Sequence, residues 1–162
     1  MVKKQEKNNF NAYTKAVLKR FTNPQHFGEI KNPDGVGQVG NPQCGDIMKI
    51  YLKVKDNKIK DIKFQTFGCV SAIASSEALC EIAKGKTIEQ AKKISNQKIV
   101  DKLEGLPSVK VHCSVLGSSG LKKAILDYEM KHGKSSFKKD LGEKLYKKEL
   151  EKLDKEANGE HH

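Results

Sequence analysis

The chain has 162 residues, 36% of them hydrophobic and 31% charged, enough for one domain with a real core and short of two. No apolar run approaches the roughly 20 residues that cross a bilayer, and the start Met1-Val-Lys-Lys has no apolar stretch behind it, so neither a membrane span nor a secretory signal is expected and the cytoplasm is the default. The net charge of +11 comes from lysine, with Arg20 the sole arginine, which argues against specific nucleic-acid recognition because arginine is the usual reader of guanine edges and phosphate pairs.

Residues 1–9 are polar and read as a loose N-terminus, followed by one domain over 10–133. From Phe10 to Arg20, Tyr13, Val17 and Leu18 suit a short amphipathic helix. Three Asn-Pro pairs and four glycines between Thr22 and Pro42 read as a structured loop with a short strand at Val36–Val39. Met48, Ile50, Leu52 and Val54 alternate with Lys49, Lys53 and Lys55, the pattern of a half-buried strand. Asp56-Asn57 supplies a tight turn, and Ile62, Phe64 and Thr66 line the return strand over Ile59–Phe67. Ile59 is out of phase with Ile62, which predicts a bulge or a late strand start.

Helices follow. Ser71–Lys84 is Ala-rich and ends at Gly85, and Thr87-Ile-Glu-Gln90 is a capping box. Another helix runs from Ser95 or Asn96 to Glu104, and Leu121, Ala124, Ile125 and Tyr128 mark a last core helix that ends near Gly133. Residues 134–162 change character: Leu141, Leu145, Leu150 and Leu153 sit among lysines and glutamates as an amphipathic helical extension, and His161-His162 reads as the end of an expression tag.

Four cysteines in a chain without a leader do not suggest a disulfide framework, and no Cys-x-x-Cys pair exists. Cys44 and Asp46 sit before the first long strand, Cys69 at the seam between the second strand and the first long helix, and Cys113 beside His112 ahead of the last core helix. All lie at element ends, where side chains can converge, with Gly45 and Gly68 allowing close backbone approach. A helix N-terminus favours a thiolate at Cys69, and at Cys113 if its helix starts at Ser114 rather than Ser118. Thiolates favour zinc, copper(I) or iron–sulfur clusters, and a carboxylate or imidazole as fourth ligand, Asp46 or His112, makes an exchangeable corner. Cys80, beside Leu79 and Ala83, reads as core packing. Spacing alone leaves both a metal site and ordinary structural roles open for the others.

Asn23-Pro24 after the first helix, Cys44-Gly-Asp46, Gly68-Cys69 running into Ser71-Ala-Ile-Ala-Ser75, and Leu106-Pro-Ser-Val-Lys110 before Val111-His-Cys-Ser114 occur in order. With these motifs the chain resembles the IscU/NifU-type iron–sulfur cluster assembly scaffolds over residues 10–133. The resemblance implies an α+β fold: a three-stranded antiparallel sheet packed against four to five helices, with the metal site at one tip. It implies a scaffold rather than an enzyme, which takes persulfide sulfur from a cysteine desulfurase, iron as Fe²⁺ and electrons from a donor such as ferredoxin. The cluster, [2Fe-2S] or [4Fe-4S], would then pass to apo-proteins from a monomer or cluster-bridged dimer. By the same resemblance Cys44, Asp46, Cys69, His112 and Cys113 form the metal site, with Cys113 the persulfide acceptor. Leu106, Pro107, Ser108, Val109 and Lys110 match a segment presented to an Hsp70-type chaperone, with Ser108 where the family has a second proline. The alternative is a zinc-dependent, SufU-like sulfur-transfer protein holding Zn²⁺ on these ligands; the insertion of that branch, between the second and third ligand cysteines, is missing.

Overall fold

The computed structural model describes residues 13–41, 46–107 and 110–132, and from the extension 147–148, 151–152 and 155; of Asn41, Asp46 and His112 it describes the backbone alone. Helix α1 (Lys15–Thr22) is followed by strands β1 (Gly35–Asn41), β2 (Asp46–Lys55) and β3 (Lys58–Phe67). Helices α2 (Val70–Ala83), α3 (Ile88–Lys92), α4 (Asn96–Lys102) and α5 (His112–Lys131) complete the domain. The strands form one antiparallel sheet in the order β1-β2-β3, with the helices packed on it, as expected.

The sheet follows from the alternation. Met48, Ile50 and Leu52 of β2 and Ile62 and Phe64 of β3 are fully buried on one face. Asp56 and Asn57 both take positive φ, the backbone that joins two strands without splaying them. Val54 pairs with Ile59 and Lys53 with Asp61, so Lys60 is the extra residue of the bulge that brings Ile59 into the core. The expected strand at Val36–Val39 extends to Gly35–Asn41 because every residue from Gly35 to Asn41 pairs in register with β2, from Leu52 to Asp46. A Cβ at Gly37 would stand 2.4 Å from Ala124 N and Gly120 O, so only glycine permits this approach.

Caps set the helix limits. The Thr14 hydroxyl accepts from Val17 N and starts α1, which therefore runs from Lys15 to Thr22; Tyr13 lies ahead of the helix, and residues 10–12 of the expected Phe10–Arg20 helix lie outside the described residues. The capping box forms at α3, with Thr87 Oγ1 accepting from Gln90 N and Thr87 N donating to Gln90 Oε1. Arg20 grips Glu81 through Nε–Oε2 (2.8 Å) and Nη2–Oε1 (2.9 Å), fastening α1 to α2. Among the described residues no helix is long and apolar enough to cross a membrane.

Candidate metal centre

Three chain ends meet at one tip of the sheet. Asn41 pairs with Asp46 and Ile47 with Phe67, so β1, β2 and β3 all end there. Residues 42–45, with Cys44, join the first two strands and lie outside the described residues. Two residues beyond Phe67, Cys69 is the N-cap of α2, extended at φ −82° and ψ −178°. The glycines of β1 draw α5 down on the sheet antiparallel to β1, which carries its first turn to this tip. Helix α5 starts at His112, so Cys113 occupies its first turn; the expected dependence on a start at Ser114 is met with two residues to spare.

The result is a close pair of sulfurs. Cys69 Sγ and Cys113 Sγ are 3.8 Å apart, although the residues are 44 positions apart in sequence. Cys69 is half-buried and Cys113 fully buried. The Cys69 thiol is pushed down to about 5, chiefly by the hydrogen bond it accepts from the Cys113 thiol, then by the Ala72 N–H, the positive charge of Lys110 and the Ser71 N–H; burial works against this. Cys69 is therefore the sulfur held toward the thiolate in this close contact. Lys110, at the end of the Leu106–Lys110 segment, supplies a positive charge to the same corner, while Ser108 and Val109 lie outside the described residues.

The remaining candidates divide. Asp46 opens β2 and His112 opens α5, but their side chains lie outside the described residues, as does Cys44. Among the described residues no three His, Cys, Asp or Glu side chains converge on one point. Cys80 is wholly buried against the core, and burial together with the nearby Glu77, Glu81 and Asp61 raises its thiol well above the usual range, as expected of a packing residue.

The outer sheet face carries, besides its lysines, an apolar feature beside the tip that the alternation of β2 does not announce. Phe67 is 79% exposed, Phe27 49% and Ile47 42%, and together they line a cavity of about 390 Å³ on that face, with Gln38, Lys49, Gln65 and Thr66 also in its lining. Phe27 is held there because Phe64 N donates to His26 O and Gly28 N to Phe64 O, annexing the loop to the edge of β3. Buried Glu77 locks that loop, accepting from His26 N (2.8 Å) and lying 2.6 Å from His26 Nδ1. The signal available in the sequence was that Ile47 and Phe67 fall out of phase with the core positions Met48 and Phe64.

This is an α+β domain that holds a coupled cysteine pair at the converging ends of its sheet and helices. The family model described as the NifU-like N terminal domain matches residues 12–135, and the chain belongs to that family. It is 52% identical over 149 residues to the iron–sulfur cluster assembly scaffold protein IscU 1 of Archaeoglobus fulgidus, covering 92% of this chain and 95% of that protein. It is 46% identical over 124 residues to IscU of Escherichia coli, covering 74% of this chain and 96% of the other. The fold is also similar to the crystal structure of a NifU-like N-terminal protein from Brucella abortus, with TM-score 0.61, 20% identity, and coverage of 76% and 98%.

Proposed function

We propose that this chain is an IscU-type scaffold on which an iron–sulfur cluster is assembled and from which it is transferred to apo-proteins. The observation that carries this reading is the Cys69–Cys113 sulfur pair at 3.8 Å. Two thiolates on one tetrahedral metal ion, each about 2.3 Å from it, stand about 3.8 Å apart. The donors thus fit a thiolate-held metal before any rearrangement. Family membership and the scaffold relatives support the iron–sulfur reading over an isolated structural metal.

In this reading Cys44, Cys69 and Cys113 supply thiolates, and Asp46 or His112 completes the set as the exchangeable corner. The cluster, [2Fe-2S] on a monomer or [4Fe-4S] bridging a dimer, is cargo. Sulfur enters at Cys113: its thiolate attacks the outer sulfur of a desulfurase persulfide, an S–S bond breaks, and the desulfurase thiolate leaves. Cys113 is fully buried, so this step requires the first turn of α5 to open. Lys110 favours negative sulfur at the same corner. The partners are a cysteine desulfurase, an electron donor, apo-acceptors and, at Leu106–Lys110, a chaperone.

The test is anaerobic reconstitution of the full chain with iron, cysteine and a desulfurase, with iron and sulfide counted and the cluster typed by Mössbauer spectroscopy. Equal, chelator-labile iron and sulfide are expected. Zinc retained at one per chain with no sulfide uptake would replace this reading with the SufU-like one.

A further inference from the structure

The apolar cavity on the outer sheet face has no occupant among the described residues, and contiguous exposed apolar surface on a soluble domain usually marks a contact. From the cavity, its lining, and the length and pattern of the C-terminal extension, we infer that it is covered in cis by residues 146–154 of the same chain. This inference is independent of the cluster reading.

Four observations converge on that occupant. Lys147, Lys148, Glu151, Lys152 and Lys155 are helical and exposed. On a 3.6-residue period these five share one side of a helix, and Tyr146, Glu149, Leu150, Leu153 and Asp154 fall on the other, giving an apolar stripe flanked by carboxylates. The cavity has the complementary character: Phe27, Ile47 and Phe67 form its apolar wall, with Lys49 in its lining and Lys63 further along the same sheet face. Phe67 and Ile47 match leucines in size and chemistry, and the lysines match Glu149 and Asp154.

Reach is sufficient. Helix α5 ends beside the start of β1, where His132 Nε2 lies 3.8 Å from Asp34 Oδ1. The 13 residues from 133 to 145 span up to about 40 Å when extended, while β1, whose edge has to be rounded and followed, is about 23 Å long. A tethered segment also faces a millimolar effective concentration of its site, whereas a second copy bearing the same +11 charge is repelled. The extension is shared with the Archaeoglobus relative: with only 11 residues ahead of residue 12, an alignment of 149 residues runs past residue 135 by at least 14.

Phe67 stands two residues from Cys69, so the docked segment screens the sheet face that adjoins the metal centre, and a protein binding there has to displace it. The experiment places photoreactive p-benzoylphenylalanine at Phe67 of the full chain, irradiates at low micromolar concentration, and maps cross-links by mass spectrometry. Cross-links at monomer mass from position 67 to peptides spanning 146–154 are expected, falling at least several-fold in an L150E/L153E background. The same double variant, without the probe, is expected to bind an apolar dye such as anilinonaphthalene sulfonate at least twice as strongly. Cross-links at dimer mass, cross-links to other segments, or a cross-link pattern and dye signal unchanged by L150E/L153E would each overturn the inference.

Discussion

Helix α2 carries two cysteines eleven positions apart, about three turns, and its two regions make opposite use of the same thiol. At the first turn Cys69 caps the helix beside unpaired N–H groups, the Cys113 thiol and the Lys110 charge, all of which favour sulfur as an anion. In the third turn Cys80 meets apolar side chains and the carboxylates of Glu77, Glu81 and Asp61, all of which favour the neutral thiol. The difference lies entirely in surroundings. A helix end beside a sheet tip is a place for chemistry, and the buried last turn of the same helix is a place for packing.

The contrast is most sharply tested by removing each sulfur. Cys69→Ser is expected to lower reconstituted iron and sulfide by about tenfold or more, since one hard hydroxyl replaces a thiolate ligand. Cys80→Ala is expected to leave both counts unchanged, and equal losses in the two variants would erase the distinction.

Reactivity follows. In the metal-free protein, iodoacetamide is expected to label Cys69 at a rate that is level from pH 8 to 6.5 and halves near pH 5, the pH of its own ionisation, whereas Cys80 stays unlabelled until the chain unfolds. Cys113→Ala removes the principal donor, so the midpoint of labelling should move up toward that of an ordinary thiol. A midpoint that stays near 5 would shift the credit to the helix N–H groups and Lys110.

Stability should carry the same signature. Because the folded-state value at Cys69 is depressed below that of an unfolded thiol, its contribution is complete above pH 9 and is lost as pH falls toward 5. Urea midpoints of the metal-free wild type are therefore expected to rise between pH 6 and 8 relative to those of Cys69→Ala, which lacks the group; parallel profiles would contradict the assigned ionisation. Smallest is the effect of Cys80→Ala on folding, about 1 kcal/mol for a lost sulfur in a core that partly closes the gap, measured by the same urea titration. Cys80→Ser should cost more because its hydroxyl would be buried among apolar neighbours.

Much of the scaffold was legible from local pattern. The β2–β3 alternation, the Asp56-Asn57 turn, the bulge signalled by Ile59, the Thr87 capping box and the Gly85 stop with φ +87° all appear where expected, because each depends on a few neighbouring residues. Of the candidate site, Cys69 and Cys113 were legible as residues at element ends, and Cys80 was legible as core. The apolar wall on the outer face was not legible because Lys49, Lys53 and Lys55 dominate the alternation of β2, while the wall is assembled from Phe27, Ile47 and Phe67 on three separate segments. Helix α1 was placed too early, since the Thr14 cap outweighs the apolar pattern ahead of it.

By itself the sequence determined which segments become strands and helices, that Cys80 belongs to the core, and that Cys69 and Cys113 sit at the ends of elements. Periodicity, turn chemistry and caps act over a few residues, so they can be read along a line. Only the tertiary structure decided that the sulfurs of Cys69 and Cys113 stand 3.8 Å apart, and that the Cys69 thiol is pushed down by that contact. That outcome depends on Gly35 and Gly37 letting α5 lie against β1 and carry its first turn to the tip. The distance between residues 69 and 113 is a property of packing, and no local rule contains it.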